Sequence, residues 1–181
     1  MTPIIIDNLL PKSLADEIER DFFHDLAWYF NNDLTYADPI AKEHKVMGFS
    51  HLFYGDNRAS SDRWPMVRII PHLALAKANL NFNHVPIRAR AFLNLGINSN
   101  EVYMHNKHID MDWEHLVCLY YVNDSEGDTY FYGYDENDPI SQKVTPVKNR
   151  VVIFDGKLYH AGSSPKQGKR AIINFDINQV P

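Results

Sequence analysis

The second half of the chain carries the feature that most limits its fold: short strand-like segments follow one another at turn-sized intervals. From Pro86 onward, β-branched and aromatic residues occur in short runs, and clusters of Gly, Asn, Asp or Ser separate these runs. About eight short strands at this spacing indicate a double-sheet jelly roll or a barrel. The predicted strands are residues 88–95, 102–110, 115–123, 129–132, 143–147, 150–154, 159–161 and 170–177.

The first half follows a helical period instead. Apolar residues recur at near i, i+4 spacing, which predicts an amphipathic helix over residues 14–30 with Ser13 as its N-cap. A second helix is predicted over residues 65–81, with a kink or break at Pro71, because proline lacks the backbone N–H that the helix needs. The residues of the first apolar stripe are Leu14, Ile18, Phe22, Leu26 and Phe30.

The composition is that of one globular domain. The chain has 181 residues, of which 45% are hydrophobic, and a net charge of −5 that disfavours nucleic-acid binding. No apolar run is long enough to cross a bilayer, the N-terminus lacks the basic region of a secretory signal, and one cysteine excludes an internal disulfide, so we expect a cytoplasmic protein. We expect an α+β domain in which helical support (1–85) buttresses a distorted jelly-roll catalytic core (86–181).

Candidate metal ligands stand near the end of one predicted strand. In His108-Ile109-Asp110, residues i and i+2 of a strand point to the same face, so an imidazole and a carboxylate can share one metal ion. Downstream, His160 is followed ten residues later by Arg170. Two histidines and one carboxylate form the facial triad of non-haem Fe(II) oxygenases, and the planar fork of an arginine suits the far carboxylate of a ketoacid. The residue ten after His115 is Ser125, which offers no such cation.

Three neighbouring residues compete with this assignment. His105 lies three residues before His108, so on a strand it faces the opposite side, and we interpret it as a surface residue or a partner of the ligands. His115 is also a candidate partner of a metal ligand. Asp112 shares the parity of Asp110 and becomes the ligand if the strand bulges.

These motifs resemble the Fe(II)- and 2-oxoglutarate-dependent oxygenases, and among them the prolyl hydroxylases. The resemblance covers about residues 87–178. It implies that iron is held by His108, Asp110 and His160, and that the far carboxylate of 2-oxoglutarate contacts Arg170, Tyr121 and Thr129. The motifs that carry it are His108-x-Asp110, the segment 118–123, Gly127-Asp128-Thr129, His160-Ala161-Gly162, Gly168-Lys169-Arg170 and Asn174.

The resemblance implies hydroxylation of a C–H bond, with a prolyl residue of a protein or peptide as the substrate and ascorbate as a candidate reductant. Asp176 stands where prolyl hydroxylases usually place a tryptophan, which keeps a small-molecule substrate as an alternative. Two other classes stay open: a cupin-type metalloenzyme that does not use 2-oxoglutarate, and a non-catalytic jelly-roll module that binds carbohydrate.

A long polar segment before the core is the last feature with a predicted role. Residues 31–64 exceed the usual length of a structureless connection, and such segments are often functional. By its placement it resembles the mobile segment that closes over the peptide in prolyl hydroxylases, so we predict part of a lid over the iron. Its aromatic residues and histidine are Tyr36, His51, Phe53, Tyr54 and Trp64.

Overall fold

The computed structural model describes residues 1–32, 34, 47–80, 86–96 and 103–178. Within these residues the chain forms twelve strands and three helices. The strands are β1 (Ile4–Ile6), β2 (Tyr29–Asn31), β3 (Gly48–Gly55), β4 (Arg58–Ala59), β5 (Pro86–Leu95), β6 (Tyr103–Met104), β7 (His115–Tyr121), β8 (Thr129–Phe131), β9 (Gln142–Val144), β10 (Arg150–Asp155), β11 (His160–Ser164) and β12 (Lys169–Asn178). The helices are α1 (Lys12–His24), α2 (Trp64–Val67) and α3 (Ile69–Lys77).

The strands form two antiparallel sheets that pack against each other. The large sheet has the order β1-β10-β7-β12-β5-β3-β2, with β4 paired to β3, and the small sheet has the order β6-β11-β8-β9. Side chains of both sheets meet in one buried cluster, where Leu119 and Phe154 of the large sheet pack with Phe131 and Val144 of the small one. This arrangement confirms the predicted jelly roll.

The helices cover the opposite face of the large sheet. Because side chains alternate along a strand, Cys118 and Tyr120 of β7 point away from the small sheet. They pack in the same buried cluster as Ile18 and Phe22 of α1 and Ile70 of α3. The helices therefore buttress the core, as the sequence predicts. No helix in the described part of the chain has both the length and the apolar character needed to cross a membrane.

The segment before residue 86 provides more than helical support. β1 pairs with β10, and β3 pairs with β5, so both extend the large sheet. The polar segment therefore contributes a long strand, β3, to the interior of the large sheet. Its Ser50 faces the same side as Phe92 of β5, which is the side of the small sheet.

Two predicted helix boundaries are wrong. α1 ends at His24 because its last carbonyls bind other groups: Asp21 O accepts from the backbone N–H of Leu26, and Phe22 O accepts from the indole of Trp28. Residues 29–31 then pair with β3 instead of continuing the helix. The helix also begins at Lys12, two residues before the predicted start, and its N-cap is Pro11, not Ser13.

The second predicted helix is split into α2 and α3 at Arg68. The break lies just before Pro71, because a proline cannot donate the hydrogen bond that Val67 O would otherwise receive. Residues 102–110 are also less regular than predicted. Their described part contains only the short strand β6 and an isolated bridge at His108.

Candidate metal centre and its cavity

The three predicted metal ligands converge at one end of β11. The backbones of His108 and His160 exchange two hydrogen bonds of 2.9 Å, which attach the loop before β7 to the first residue of β11. Nε2 of His108 lies 3.9 Å from Oδ1 of Asp110, and Nε2 of His160 lies 3.6 Å from Oδ2. One ion with bonds of about 2.0–2.2 Å can contact all three groups at such separations.

The hydrogen bonds of the two imidazoles fit a metal site. Nδ1 of His108 donates to Asn106 O over 3.1 Å, and Nδ1 of His160 donates to Leu158 O over 3.0 Å. A ring that donates from Nδ1 keeps the lone pair of Nε2 for a metal, and metal-binding histidines usually have such a partner. Asn174 completes the arrangement by donating to Oδ2 of Asp110 over 3.2 Å.

The charges of these groups also favour a cation. Burial and the neighbouring His108 lower the pKa of His160 to about 4, so its imidazole is neutral near pH 7. Burial by itself raises the pKa of Asp110, but the two histidines and the Asn174 hydrogen bond reverse this and lower it. The result is a carboxylate beside the neutral imidazole of His160, which is the protonation state that a metal requires of these two ligand types.

A cavity of about 730 Å³ connects the metal ligands with Arg170. The Arg170 side chain is buried, and burial is the main cause of a lowered pKa for its guanidinium. Its Nε donates to Gly127 O over 2.7 Å, and its Nη2 donates to Oγ1 of Thr129 over 2.8 Å. No carboxylate among the described residues forms an ion pair with it, so a buried cation faces the cavity without an anion.

Thr129 lines the same cavity, and Tyr121 lies behind it. The Tyr121 hydroxyl donates to Oγ1 of Thr129 over 2.8 Å, and the Tyr121 ring centre lies 5.9 Å from Cζ of Arg170. Tyr121 is fully buried and is not among the described residues that line the cavity. Its contact in this structure is with Thr129, and direct contact with a co-substrate stays a prediction.

The absence of a side chain at Gly127 leaves room for the Arg170 side chain. A Cβ added to Gly127 would collide with the carbonyl oxygen of Ser163 and would lie 2.8 Å from Cδ of Arg170. Any side chain at this position would therefore push the arginine away from the wall. The glycine of the Gly127-Asp128-Thr129 motif is explained by this close approach.

The competing residues take different places. Asp112 is exposed and is not part of the cluster of donor groups, whereas Asp110 is the carboxylate of the candidate site. His105 lines the cavity, which corrects the prediction that it faces the opposite side, because the strand on which that prediction depended is irregular. Its Nε2 lies 3.0 Å from Oγ of Ser164, and burial with nearby Arg170 lowers its pKa to about 3. His115 is buried beside Asp110 and Asp176.

The described aromatic residues of the predicted lid lie away from the cavity, although Asn31, Leu34 and Ser50 of the same segment line it. Phe53 is fully buried in the cluster under the helices, and Tyr54 stacks on Trp64 at 4.9 Å. Nδ1 of His51 donates to Ala27 O over 2.7 Å on the same side of the sheet. Residues 33 and 35–46, including Tyr36, lie outside the described residues.

Sequence reasoning missed the polar face of β5. Arg88, Arg90 and Asn94 line the cavity, whereas Ala89 and Ala91, which alternate with them, pack under the helices. The alternation of charged and small apolar residues was the available signal, since charged residues on the inner face of a buried strand indicate a polar cavity. β5 pairs with β12 such that Arg88 lies opposite Asp176 and Asn94 lies opposite Arg170.

Comparison with known proteins gives the same fold. No protein-family model matches the chain, and no curated protein sequence does. Solved structures do match. A prolyl hydroxylase from Trichoplax adhaerens, in complex with a peptide fragment of the hypoxia inducible factor oxygen degradation domain, is 13% identical with a TM-score of 0.63, covering 96% of this chain and 82% of its own.

Two further structures extend this similarity beyond prolyl hydroxylases. A 2OG-Fe(II) oxygenase family oxidoreductase from Burkholderia pseudomallei is 7% identical with a TM-score of 0.71, covering 97% of this chain and 84% of its own. HygX from Streptomyces hygroscopicus, with nickel, 2-oxoglutarate and hygromycin B bound, is 13% identical with a TM-score of 0.62, covering 98% and 83%. The fold of this chain is therefore that of the Fe(II)/2-oxoglutarate oxygenases.

Proposed function

We propose that the protein is an Fe(II)- and 2-oxoglutarate-dependent dioxygenase that hydroxylates a C–H bond. The observation that carries the proposal is one cavity with a His-Asp-His cluster at one place and the unpaired, buried Arg170 at another. His108, Asp110 and His160 would hold the metal. Fe(II) bound there, with 2-oxoglutarate and O₂, supplies the oxidising chemistry.

The residues around Arg170 bind and orient the co-substrate in this proposal. Arg170 would pair with the far carboxylate of 2-oxoglutarate, and the Thr129 hydroxyl would donate to the same carboxylate. Tyr121 holds Thr129 and the arginine in position from behind. A cupin-type enzyme that does not use 2-oxoglutarate would have no need of a buried cation at this place.

A prolyl residue of a protein or peptide is the substrate that we propose first. Two observations support it: the motif resemblance to prolyl hydroxylases, and the similarity of fold to one that holds a peptide fragment. A small molecule is the second candidate. It is favoured by Asp176, which stands where prolyl hydroxylases usually place a tryptophan and pairs with the cavity-lining Arg88, and by the similar fold of a protein with hygromycin B bound.

A peptide assay separates these candidates. The protein is incubated in air with Fe(II), 2-oxoglutarate, ascorbate and a panel of proline-containing peptides, and products are identified by mass spectrometry. Gain of one oxygen on proline, absent in the Asp110→Asn variant, supports prolyl hydroxylation. Succinate formation without any modified peptide would overturn the prolyl substrate and leave the small-molecule candidate.

A further inference from the structure

A second arginine lies beside the metal ligands and has no role in the function proposed above. Arg90 of β5 lies opposite Asn174 of β12 in the sheet register. Asn174 in turn donates to the metal ligand Asp110. Arg90 lines the cavity, so its guanidinium lies at the wall next to the metal site.

Arg90 forms no direct ion pair within the part of the protein that the structure describes, although Asp110 and Asp176 are near enough to act on its charge. Its Nε is buried without a hydrogen-bond partner, and no described carboxylate forms an ion pair with it. Its Cζ lies 5.0 Å from the ring centre of Phe92. The neighbouring Arg88 differs, because its Nε contacts Oδ2 of Asp176 at 2.6 Å. A partly desolvated guanidinium that lacks an anion is costly unless a ligand supplies one.

The backbones of Arg90 and Arg170 lie at different places along the sheet. In the register of the sheet, the backbone of Arg170 lies opposite Asn94, and the backbone of Arg90 lies opposite Asn174. Asn174 is four residues further along β12 than Arg170. At about 3.3 Å per residue, the two positions are about 13 Å apart along the strand. Arg90 therefore lies at the metal end, where the atom to be oxidised must come, and Arg170 lies at the far end of the co-substrate.

We propose that Arg90 binds a carboxylate of the substrate and so selects substrates that carry a carboxylate near the carbon that is oxidised. The inference rests on the function proposed above. The planar fork of an arginine matches a carboxylate. A single unpaired cation close to Asp110 and Asp176 suits a monoanion better than a doubly charged phosphate.

This carboxylate can have two sources: an acidic side chain next to a prolyl residue in a peptide, or the α-carboxylate of a free amino acid. Matched probes distinguish them. The peptides acetyl-Ala-Ala-Pro-Glu-Ala-amide and acetyl-Ala-Ala-Pro-Gln-Ala-amide differ only in charge, as do L-proline and L-prolinamide. Each is titrated by calorimetry into protein loaded with Fe(II) and 2-oxoglutarate under argon, where no turnover occurs.

The variants link any preference to Arg90. We expect one acidic probe to bind at least about tenfold more tightly than its neutral partner, as for a charge-assisted hydrogen bond. Arg90→Gln should remove this preference and leave the affinity for 2-oxoglutarate within about twofold. Arg90→Lys should retain part of it, and Arg58→Gln, which removes an exposed arginine on β4, should retain all of it. Melting temperatures confirm that each variant is folded.

Three results would overturn the inference: no binding of either acidic probe, equal binding of acidic and neutral probes, or a preference that persists in Arg90→Gln. A large loss of 2-oxoglutarate affinity in Arg90→Gln would also contradict it. Slow conversion of 2-oxoglutarate to succinate without substrate separates the two proposals. If wild-type and Arg90→Gln both form succinate but show no charge preference, only the inference fails. If neither forms succinate, the proposed function fails.

Discussion

Nη2 of Arg170 donates to Oγ1 of Thr129 over 2.8 Å, in the buried wall of the cavity. The same oxygen accepts the hydroxyl of Tyr121. A hydroxyl oxygen has two acceptor lone pairs, so both are used, and the proton of Thr129 is left to donate elsewhere. Arg170 and Thr129 together therefore present donors to the cavity in a geometry that is set before a ligand arrives.

Replacing Thr129 by valine tests this arrangement. Thr129→Val keeps the shape but removes the donor and the acceptor for Arg170, so we expect the affinity for 2-oxoglutarate to fall about tenfold. Metal affinity should not change. Calorimetry with metal-loaded protein measures both. Thr145→Val, at an exposed threonine, is the control, and an unchanged affinity in Thr129→Val would show that the hydroxyl does not contact the ligand.

Replacing Arg170 tests the other donor. Arg170→Ala should abolish detectable 2-oxoglutarate binding and leave metal binding largely intact, because the metal ligands lie elsewhere in the cavity. Loss of a charge-assisted bidentate pair should cost at least ~2 kcal/mol of binding free energy. Arg170→Lys, which keeps a charge, should bind more tightly than the alanine variant. Wild-type affinity in Arg170→Ala would assign the role to another cation.

The proposed metal ligand Asp110 can be compared with Asp112, the other carboxylate of the same loop. Asp110→Asn should weaken Fe(II) or Mn(II) binding by at least about 100-fold, since losing a ligand costs more than losing a partner of a ligand. Asp112→Asn, at an exposed position, should bind metal like the wild type. The opposite pattern would show that Asp112 is the ligand and that the loop differs from this structure.

The Arg88–Asp176 ion pair predicts a pH-dependent effect on stability. Burial raises the pKa of Asp176 from 3.8 to about 6, although Arg88 opposes the shift. The folded state thus binds this proton more tightly than the unfolded state, and the contribution of Asp176 to stability falls as pH rises from about 4 to 6. Above that range the ionised carboxylate depends on Arg88.

We therefore expect Arg88→Gln to lower the melting temperature of the metal-free protein more at pH 8 than at pH 5. At pH 5 the Asp176 carboxyl is mostly protonated, so its ion pair with Arg88 contributes less to stability. Calorimetric scans at both pH values, in the presence of a chelator, measure the difference, with Arg58→Gln as the control. An equal loss at the two pH values would contradict the raised pKa of Asp176.

Much of the fold was predictable because strand alternation and turn residues are local signals. The strands around Cys118 and Ile173 were found in this way. The irregular loop at 105–110 was not, since its path is set by a backbone bridge between His108 and His160, which are 52 positions apart. The end of α1 was missed for a similar reason: the pairing of residues 29–31 with β3 overrides the helical period.

The convergence of His108, Asp110, His160 and Arg170 on one cavity was predictable from spacing and resemblance, because these residues have the chemistry that the candidate site needs. The proposed role of Arg90 could not be predicted in this way, because no motif contains it. Its importance depends on register, which places it opposite Asn174 and therefore beside Asp110. The sequence does not show which residue of a polar strand face lies opposite Asn174, because that depends on how the sheet is assembled.

We propose that this cavity consumes 2-oxoglutarate with the help of the His108, Asp110 and His160 site. Succinate released from 2-oxoglutarate in air, with Fe(II) and without any added substrate, measures this directly. We predict slow succinate formation by the wild type, loss of it in Asp110→Asn and in Arg170→Ala, and retention of it in Asp112→Asn. No succinate from metal-loaded, folded wild-type protein that binds 2-oxoglutarate, or equal rates in all four proteins, would contradict the account.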